Sequence, residues 1–301
     1  MLDIIGKRKI FYTISGSLIT LSVIALILWG LKFGIEFKGG AILEIAYVNS
    51  NRPEINSVYD SLKDLKLNDL RITPVGNNGL TLRFREIDET THQNVIAALT
   101  PPTKTIEEKR FSSIGPTVGA ELKQNSARAI ILVLLGISLY IAWAFRHVSK
   151  PISSWRYGVA TLAALFHDII IPIGLFAFLG HFYDIEIGTN FVVALLVILG
   201  FSVHDTIVVF DRIRENLKRY AHLDFPEIVN QSINETLVRS ISTSFTVLLT
   251  LFALFFFGGE SLKYFVLTLL VGIFFGTYSS IFIASTLLVS WYQRLKLTLQ
   301  K

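Results

Sequence analysis

The chain of 301 residues is 51% hydrophobic and 17% charged, carries a formal charge of +5, and contains no cysteine. Disulfides, thiolate chemistry and cysteine-based metal sites are therefore excluded. Nucleic-acid binding is excluded by placement, because the basic residues sit at the ends of apolar runs and form no surface stripe.

The first apolar run, residues 10–30, follows Lys7, Arg8 and Lys9. A cleaved signal peptide has an apolar stretch of only about 7–15 residues before a small-residue cleavage site. The longer run here predicts an uncleaved first span within a segment 1–34. Residues 35–125 differ: charges are frequent and no run is long enough to span. Residues 41–48 read as a strand. Within 53–67, Ile55, Val58, Tyr59, Leu62 and Leu65 fall at helical spacing. Residues 70–75 and 80–84 read as strands around the turn Gly76-Asn77-Asn78-Gly79, residues 87–99 as a second helix and 103–114 as a last strand. The order strand-helix-strand-strand-helix-strand is the ferredoxin-like pattern. This small α+β domain carries no obvious site, and is expected to dock or bind rather than catalyse.

Five more apolar runs follow, at 129–145, 157–180, 187–210, 240–258 and 264–291. Each approaches or exceeds the roughly 20 residues that cross the hydrocarbon, and the last is long enough to tilt or to extend beyond the bilayer. The fold class expected is thus a polytopic α-helical membrane protein of six transmembrane helices, with the ferredoxin-like domain between helices 1 and 2. Helices 2–6 occupy 126–292, followed by a tail, 293–301. Orientation follows from basic residues in short loops. Arg146, Lys150 and Arg156 lie between spans 2 and 3. Arg212, Arg214, Lys218, Arg219 and Arg239 lie between spans 4 and 5, and Arg294, Lys296 and Lys301 follow span 6. Residues 181–190 hold no Lys or Arg, and 259–263 only Lys263. Both termini are expected in the cytoplasm and 35–125 outside it, in the periplasm of a cell with two membranes.

Ionisable groups inside a span cost at least about 2.5–3.5 kcal/mol near its centre, so they need a partner or a function. His167 and Asp168 fall 12 residues or so past Arg156, about 18 Å along the helix and near the midplane. His204 and Asp205 lie in span 4, about 10 Å from its basic end. Arg239 begins span 5, and its side chain has the reach either to approach Asp205 or to snorkel outward. Desolvation favours the neutral form of a carboxyl and a nearby guanidinium favours the charged form. An Asp–Arg pair in a partly hydrated bundle can therefore couple proton movement to helix rearrangement. For His167, Asp168 and His204, a plain hydrogen bond across a helix interface competes with that role. Asp205 is the hardest of the four to explain as packing. Asp211, in the charged run 211–216, is a further candidate for the proton relay, and as readily a solvated helix end. Gly272, Gly276 and Ser280 recur every fourth residue and read as a packing face for close helix approach.

At these positions the chain resembles the SecF proteins of the SecD/SecF protein-export family, within the resistance-nodulation-division superfamily. The resemblance covers nearly the whole chain. It is carried by the segments 33–40 (FGIEFKGG) and 114–119 (IGPTVG), and by Phe166-His167-Asp168. The most specific match is 200–216 (GFSVHDTIVVFDRIREN), with 234–240 (NETLVRS) and 276–282 (GTYSSIF) completing the set. It implies a subunit that pairs with SecD, works with the SecYEG channel, and uses proton flow to help an unfolded preprotein cross and leave the membrane. A YajC-like accessory subunit is a further partner that the resemblance allows, membrane lipid surrounds the spans, and no nucleic acid is involved. No cofactor is implied; the coupling ion is the proton, with sodium as the alternative. Functional charges of the family, in span 4 and at the start of span 5, match Asp205 and Arg239. His204 departs from it, since many relatives carry Asn there, and either adds a titrating group or replaces one hydrogen-bonding side chain with another. A small-molecule efflux half-transporter would need a much larger external region. A receptor or scaffold would tolerate neutral substitution of Asp205. An ATP-driven transporter is disfavoured, because the phosphate loop G-x-x-x-x-G-K-[ST] is absent. The expectation is a transport protein, not an enzyme.

Overall fold

The computed structural model describes residues 2–48, 50–100, 105–146 and 151–299. Thr103, Lys150 and Lys301, used above for a strand start and for charge placement, lie outside them. The chain divides into two units, Phe33–Ser126 and Met1–Lys32 with Ala127–Lys301. In chain order the elements begin with α1 (Arg8–Trp29) and the short α2 (Ile35–Lys38).

The unit Phe33–Ser126 is an antiparallel sheet covered by two helices. Its elements are β1 (Gly40–Val48), α3 (Ile55–Leu62), β2 (Arg71–Val75), β3 (Gly79–Phe84), α4 (Glu89–Leu99) and β4 (Thr105–Ile114). The strands run β2-β3-β1-β4 with every neighbour antiparallel, the ferredoxin-like order. Alternation along the two central strands builds the core: Ala41 faces Phe84, Leu43 faces Leu82 and Ile45 faces Leu80, all buried. Val58 and Leu62 of α3 and Val95 and Leu99 of α4 close over them. The periodicity of 53–67 suggests one longer helix, but α3 ends at Leu62 in a 3₁₀ turn, Lys63–Leu65. Lys66 then adopts a left-handed φ of 47°, a conformation that closes helices. α4 starts at Glu89 because the Asp88 carboxylate accepts the Thr91 N–H at 2.9 Å, a cap that holds this carboxyl below its usual range. His92 ties α4 to β4: its ring stacks on Phe111 and its nitrogens lie 3.2 Å from Glu89 and Glu108.

The other unit is helical. It contains α1, α5 (Pro116–Ala144, shared with the first unit), α6 (Ser154–Tyr183), α7 (Thr189–Arg219) and α8 (Phe225–Phe257). The sixth span, Ser261–Thr298 (38 residues), is built from α9 (Glu260–Ser279), a π-helical turn (Ser280–Ala284) and α10 (Ser285–Leu299). Among the described residues, six helices are long and apolar enough to cross a membrane. α5, α7 and α8 run well past their apolar stretches. Hydropathy marks the hydrocarbon zone, and a polar helical turn outside it loses nothing by continuing. α6 is packed by α1, α7 and α9, and α9 also packs on α7 and α8. Small residues set these approaches. A Cβ on Gly174 would fall 2.4 Å from Ser22 Cα of α1, and one on Gly272 would fall 2.1 Å from Ile198 Cδ1 of α7. Before α1, the peptide 2–5 is held by α8. Asn230 Oδ1 accepts the Ile4 N–H at 2.9 Å, and Asn234 Oδ1 accepts the Leu2 N–H at 2.8 Å.

Candidate functional site

α6 carries His167 and Asp168 into the middle of the bundle, where they are 1% and 0% exposed. His167 Nδ1 lies 2.9 Å from Asp168 Oδ1. Asp168 Oδ2 accepts the hydroxyl of Ser202 from α7 and that of Ser279 from α9, the latter at 2.9 Å. One carboxylate thus ties three helices together. The His167 ring packs on Tyr278 and Phe275, with centroids 5.9 and 6.1 Å away, and its Nε2 has no hydrogen-bond partner among the described residues. The Tyr278 hydroxyl donates to Phe11 O at 3.2 Å, extending the polar cluster to α1.

Asp205 sits on α7 one turn beyond Ser202 and is 3% exposed. Ser244 of α8 donates to its Oδ2 at 3.4 Å and also shares a hydrogen bond with Thr277 of α9, which itself faces the carboxyl. Neither Asp168 nor Asp205 has a Lys or Arg within ion-pair distance among the described residues. Burying a carboxylate costs at least about 2.5–3.5 kcal/mol, whereas interhelical hydrogen bonds in membranes average about 0.6 kcal/mol each. Two hydroxyls and an imidazole around Asp168 therefore go roughly half the way, and the looser set around Asp205 goes less far.

The structure does not bring Arg239 to Asp205. Arg239 is exposed and lines a cavity of about 450 Å³ at the basic ends of α7 and α8, with Asp211, Arg212, Glu215 and Glu235. Arg212 donates to Glu235 and to Glu215, both at 2.6 Å. Glu235 also accepts from Asn216 at 2.8 Å and from Gln231 at 2.9 Å. These neighbours occupy the carboxylate nearest to Arg239 in the chain, and no ion pair to Arg239 is present among the described residues. Asp211 is exposed and pairs with Arg214 one turn along, outside the buried cluster. His204 is exposed on the opposite side of α7 from the core, next to Asp205 in the chain. Gly272 and Gly276 lie against Ile198 and Ser202 of α7. Ser280 continues that contact by hydrogen bonds to Thr206 Oγ1 at 2.8 Å and Ser202 O at 3.1 Å.

Apart from Ser280, the hydroxyl groups are what the chain alone did not single out. Ser202 and Thr206, Ser240 and Ser244, and Thr277 with Ser279 each form a helical-spaced or near-adjacent set inside an apolar span. That polar periodicity was the available signal. The π-helical turn has no such signal.

Comparison with known proteins bears on the same residues. A family described as "Protein export membrane protein SecD/SecF, C-terminal" matches residues 94–294. A protein translocase subunit SecF of Thermobaculum terrenum is 46% identical, over 97% of this chain and 94% of that protein. One of Anaerolinea thermophila is 41% identical at the same coverage. The crystal structure of SecDF, a translocon-associated membrane protein, from Thermus thermophilus superposes with a TM-score of 0.79 at 32% identity. It covers 96% of this chain, which spans 38% of the SecDF chain's length. A SecDF structure in a super-membrane-facing form gives a TM-score of 0.71 over 99% of this chain.

Proposed function

The chain belongs to the SecD/SecF family of protein export membrane proteins, and from that premise we propose that it serves as the SecF-type subunit of a proton-driven accessory of the Sec translocase. With SecD it uses the proton-motive force to promote preprotein movement through SecYEG and release on the outer side. It lies in the bacterial inner membrane with both termini cytoplasmic and residues 35–125 in the periplasm. The observation that carries this reading is the pair of buried carboxyls, Asp168 and Asp205, held by hydroxyls and imidazole with no Lys or Arg in ion-pair reach among the described residues. A purely structural bundle gains nothing from two such groups, since each costs more to bury than its hydrogen bonds return.

Asp205 is the carboxyl that takes up and releases the proton. Arg239, resting in the cavity at the basic end, approaches it in another state of the cycle. SecD covers the face of α7 and α8 that exposes His204, Arg239, Thr243, Thr246 and Thr250, a polar stripe poorly suited to lipid. A YajC-like subunit occupies a separate part of the lipid-facing surface. Export into vesicles containing the chain, its SecD partner and the channel tests the reading. Asp205→Asn is expected to abolish stimulation by an imposed proton gradient while SecD still copurifies. Stimulation at the unsubstituted level would sink it, and stimulation that follows a sodium gradient instead would change the ion.

A further inference from the structure

One turn of the sixth span reaches both buried carboxyls. Ser279 donates to Asp168, and Thr277, two residues earlier, meets Ser244, which donates to Asp205. Two residues on one helical turn move together, so the donors of the two acids are mechanically linked. The same turn runs directly into the π-helical segment Ser280–Ala284. A π turn holds one residue more than an α turn and recurs at functional sites. Moving that extra residue along the helix would rotate what precedes it by about 100°. The segment that places Thr277 and Ser279 therefore has a built-in way to shift.

We propose that Asp168 is a positioning residue for Asp205, acting through the turn 277–279. A charged Asp168 accepts from both Ser202 and Ser279 and holds that turn against α6 and α7. A proton taken up on Oδ2, the oxygen that accepts both hydroxyls, turns that oxygen into a donor and releases the more distant hydroxyl, that of Ser279. The turn then moves on its π-helical hinge, the Thr277–Ser244 contact loosens, and Asp205 loses a donor. Among the described residues, the titratable groups facing Asp168 are His167 on its own helix and, behind the His167 ring, Tyr278 on α9. α7 offers Asp168 a hydroxyl and no charge, and α1 reaches the cluster through Ser15 and the backbone at Phe11. The titratable group beside Asp205 on its own helix is His204, and α8 and α9 offer it the hydroxyls of Ser244 and Thr277. The inference rests on the reading of Asp205 as the proton-exchanging carboxyl.

The test uses the full chain with its SecD partner in proteoliposomes, and reads infrared difference spectra and export stimulation across a pH series. Asp205→Asn identifies the carbonyl band of protonated Asp205 by removing it. Asp168→Asn and Ser279→Ala are each expected to move that band to higher frequency, as a hydrogen bond is lost. Both are expected to shift the pH profile of stimulation in the same direction, by about one pH unit if the sites are strongly coupled. The double variant should go no further than either alone, because both cut one link. Ser279→Ala removes a single hydroxyl and carries the test if Asp168→Asn fails to assemble. An unmoved band and profile, or shifts that add in the double variant, overturn the coupling and leave the role of Asp205 standing. If Asp205→Asn removes no band, the reading of Asp205 falls and this inference falls with it.

Discussion

Asp224 fastens two helices with one carboxylate. It accepts the Tyr292 hydroxyl at 2.8 Å and the Phe225 N–H at 3.1 Å, with Lys296 Nζ at 3.4 Å. The Tyr292 hydroxyl first, and then the backbone N–H and the Lys296 charge, hold this carboxyl below its ordinary value of 3.8. A carboxyl whose value is lowered on folding adds stability above its unfolded value and loses it as pH falls through the folded one. Asp224→Ala should therefore cost about 1 kcal/mol at neutral pH, mostly as a lost helix cap. Asp224→Asn should cost less, since Asn caps as well as Asp. The advantage of the parent over Asp224→Asn should shrink as acid protonates Asp224, while the gap between the two variants, neither of which titrates at this position, should stay the same. Thermal unfolding in detergent at neutral pH and well below 3.8 reads this; an advantage of the parent over Asp224→Asn that persists in acid would assign the loss to packing. At this scale the sequence was legible in part. An acid inside a span announces its cost, which singled out Asp205 and Asp168. What it did not reveal is that Asp168 has the fuller set of donors, because Ser202 and Ser279 come from two other helices. Nor did it show that Glu235, Asn216 and Arg212 satisfy one another and leave Arg239 aside.

Helix contacts in this bundle are set by where side chains are missing. α1 lies on α6 with Gly174 facing Ser22, and a Cβ there would meet backbone at 2.4 Å. Backbone cannot swing aside like a side-chain tip, so Gly174→Ala must push α1 off α6. Overpacking of this kind costs about 1–3 kcal/mol. Gly16, on α1 itself, has nothing within 4 Å of its would-be Cβ. Gly16→Ala should be neutral or stabilising by up to about 1 kcal/mol, from helix propensity alone. Melting temperatures of the two variants in detergent check the contrast, and an equal loss in both would contradict it. Elements whose identity is local were readable in the chain. The strands followed alternation, and the turn at 76–79 followed its Gly and Asn residues, with Gly76 at a φ of 58°. The six spans followed hydropathy. Helix ends were less readable, since α8 starts at Phe225 while its apolar run starts at 240. The N-terminal peptide held by Asn230 and Asn234 joins residues more than 220 positions apart, and no local pattern encodes that.

Across the whole molecule, the charge asymmetry of the loops makes a claim about sides of the membrane that the fold alone leaves open. The connecting segments 146–156 and 212–239, with the residues after 291, carry nearly all of the basic charge outside residues 33–126 and the start of the chain, and the alternate connections carry almost none. Positive loops stay in the cytoplasm because moving them across is unfavourable. The proposed orientation therefore puts the turn at Asn77 outside and the loop at His222 inside, both exposed. The absence of cysteine makes the native chain a blank background for labelling. In intact cells with an opened outer membrane, Asn77→Cys should react with a membrane-impermeant maleimide within the time in which His222→Cys stays unmodified. His222→Cys should react once the inner membrane is breached. Both positions sit in exposed loops, so neither substitution disturbs the buried carboxyl cluster. Labelling of His222→Cys before Asn77→Cys would invert the topology. It would also reverse the direction in which protons would have to pass Asp205 to drive export outward, and so remove the energetic basis of the proposed function.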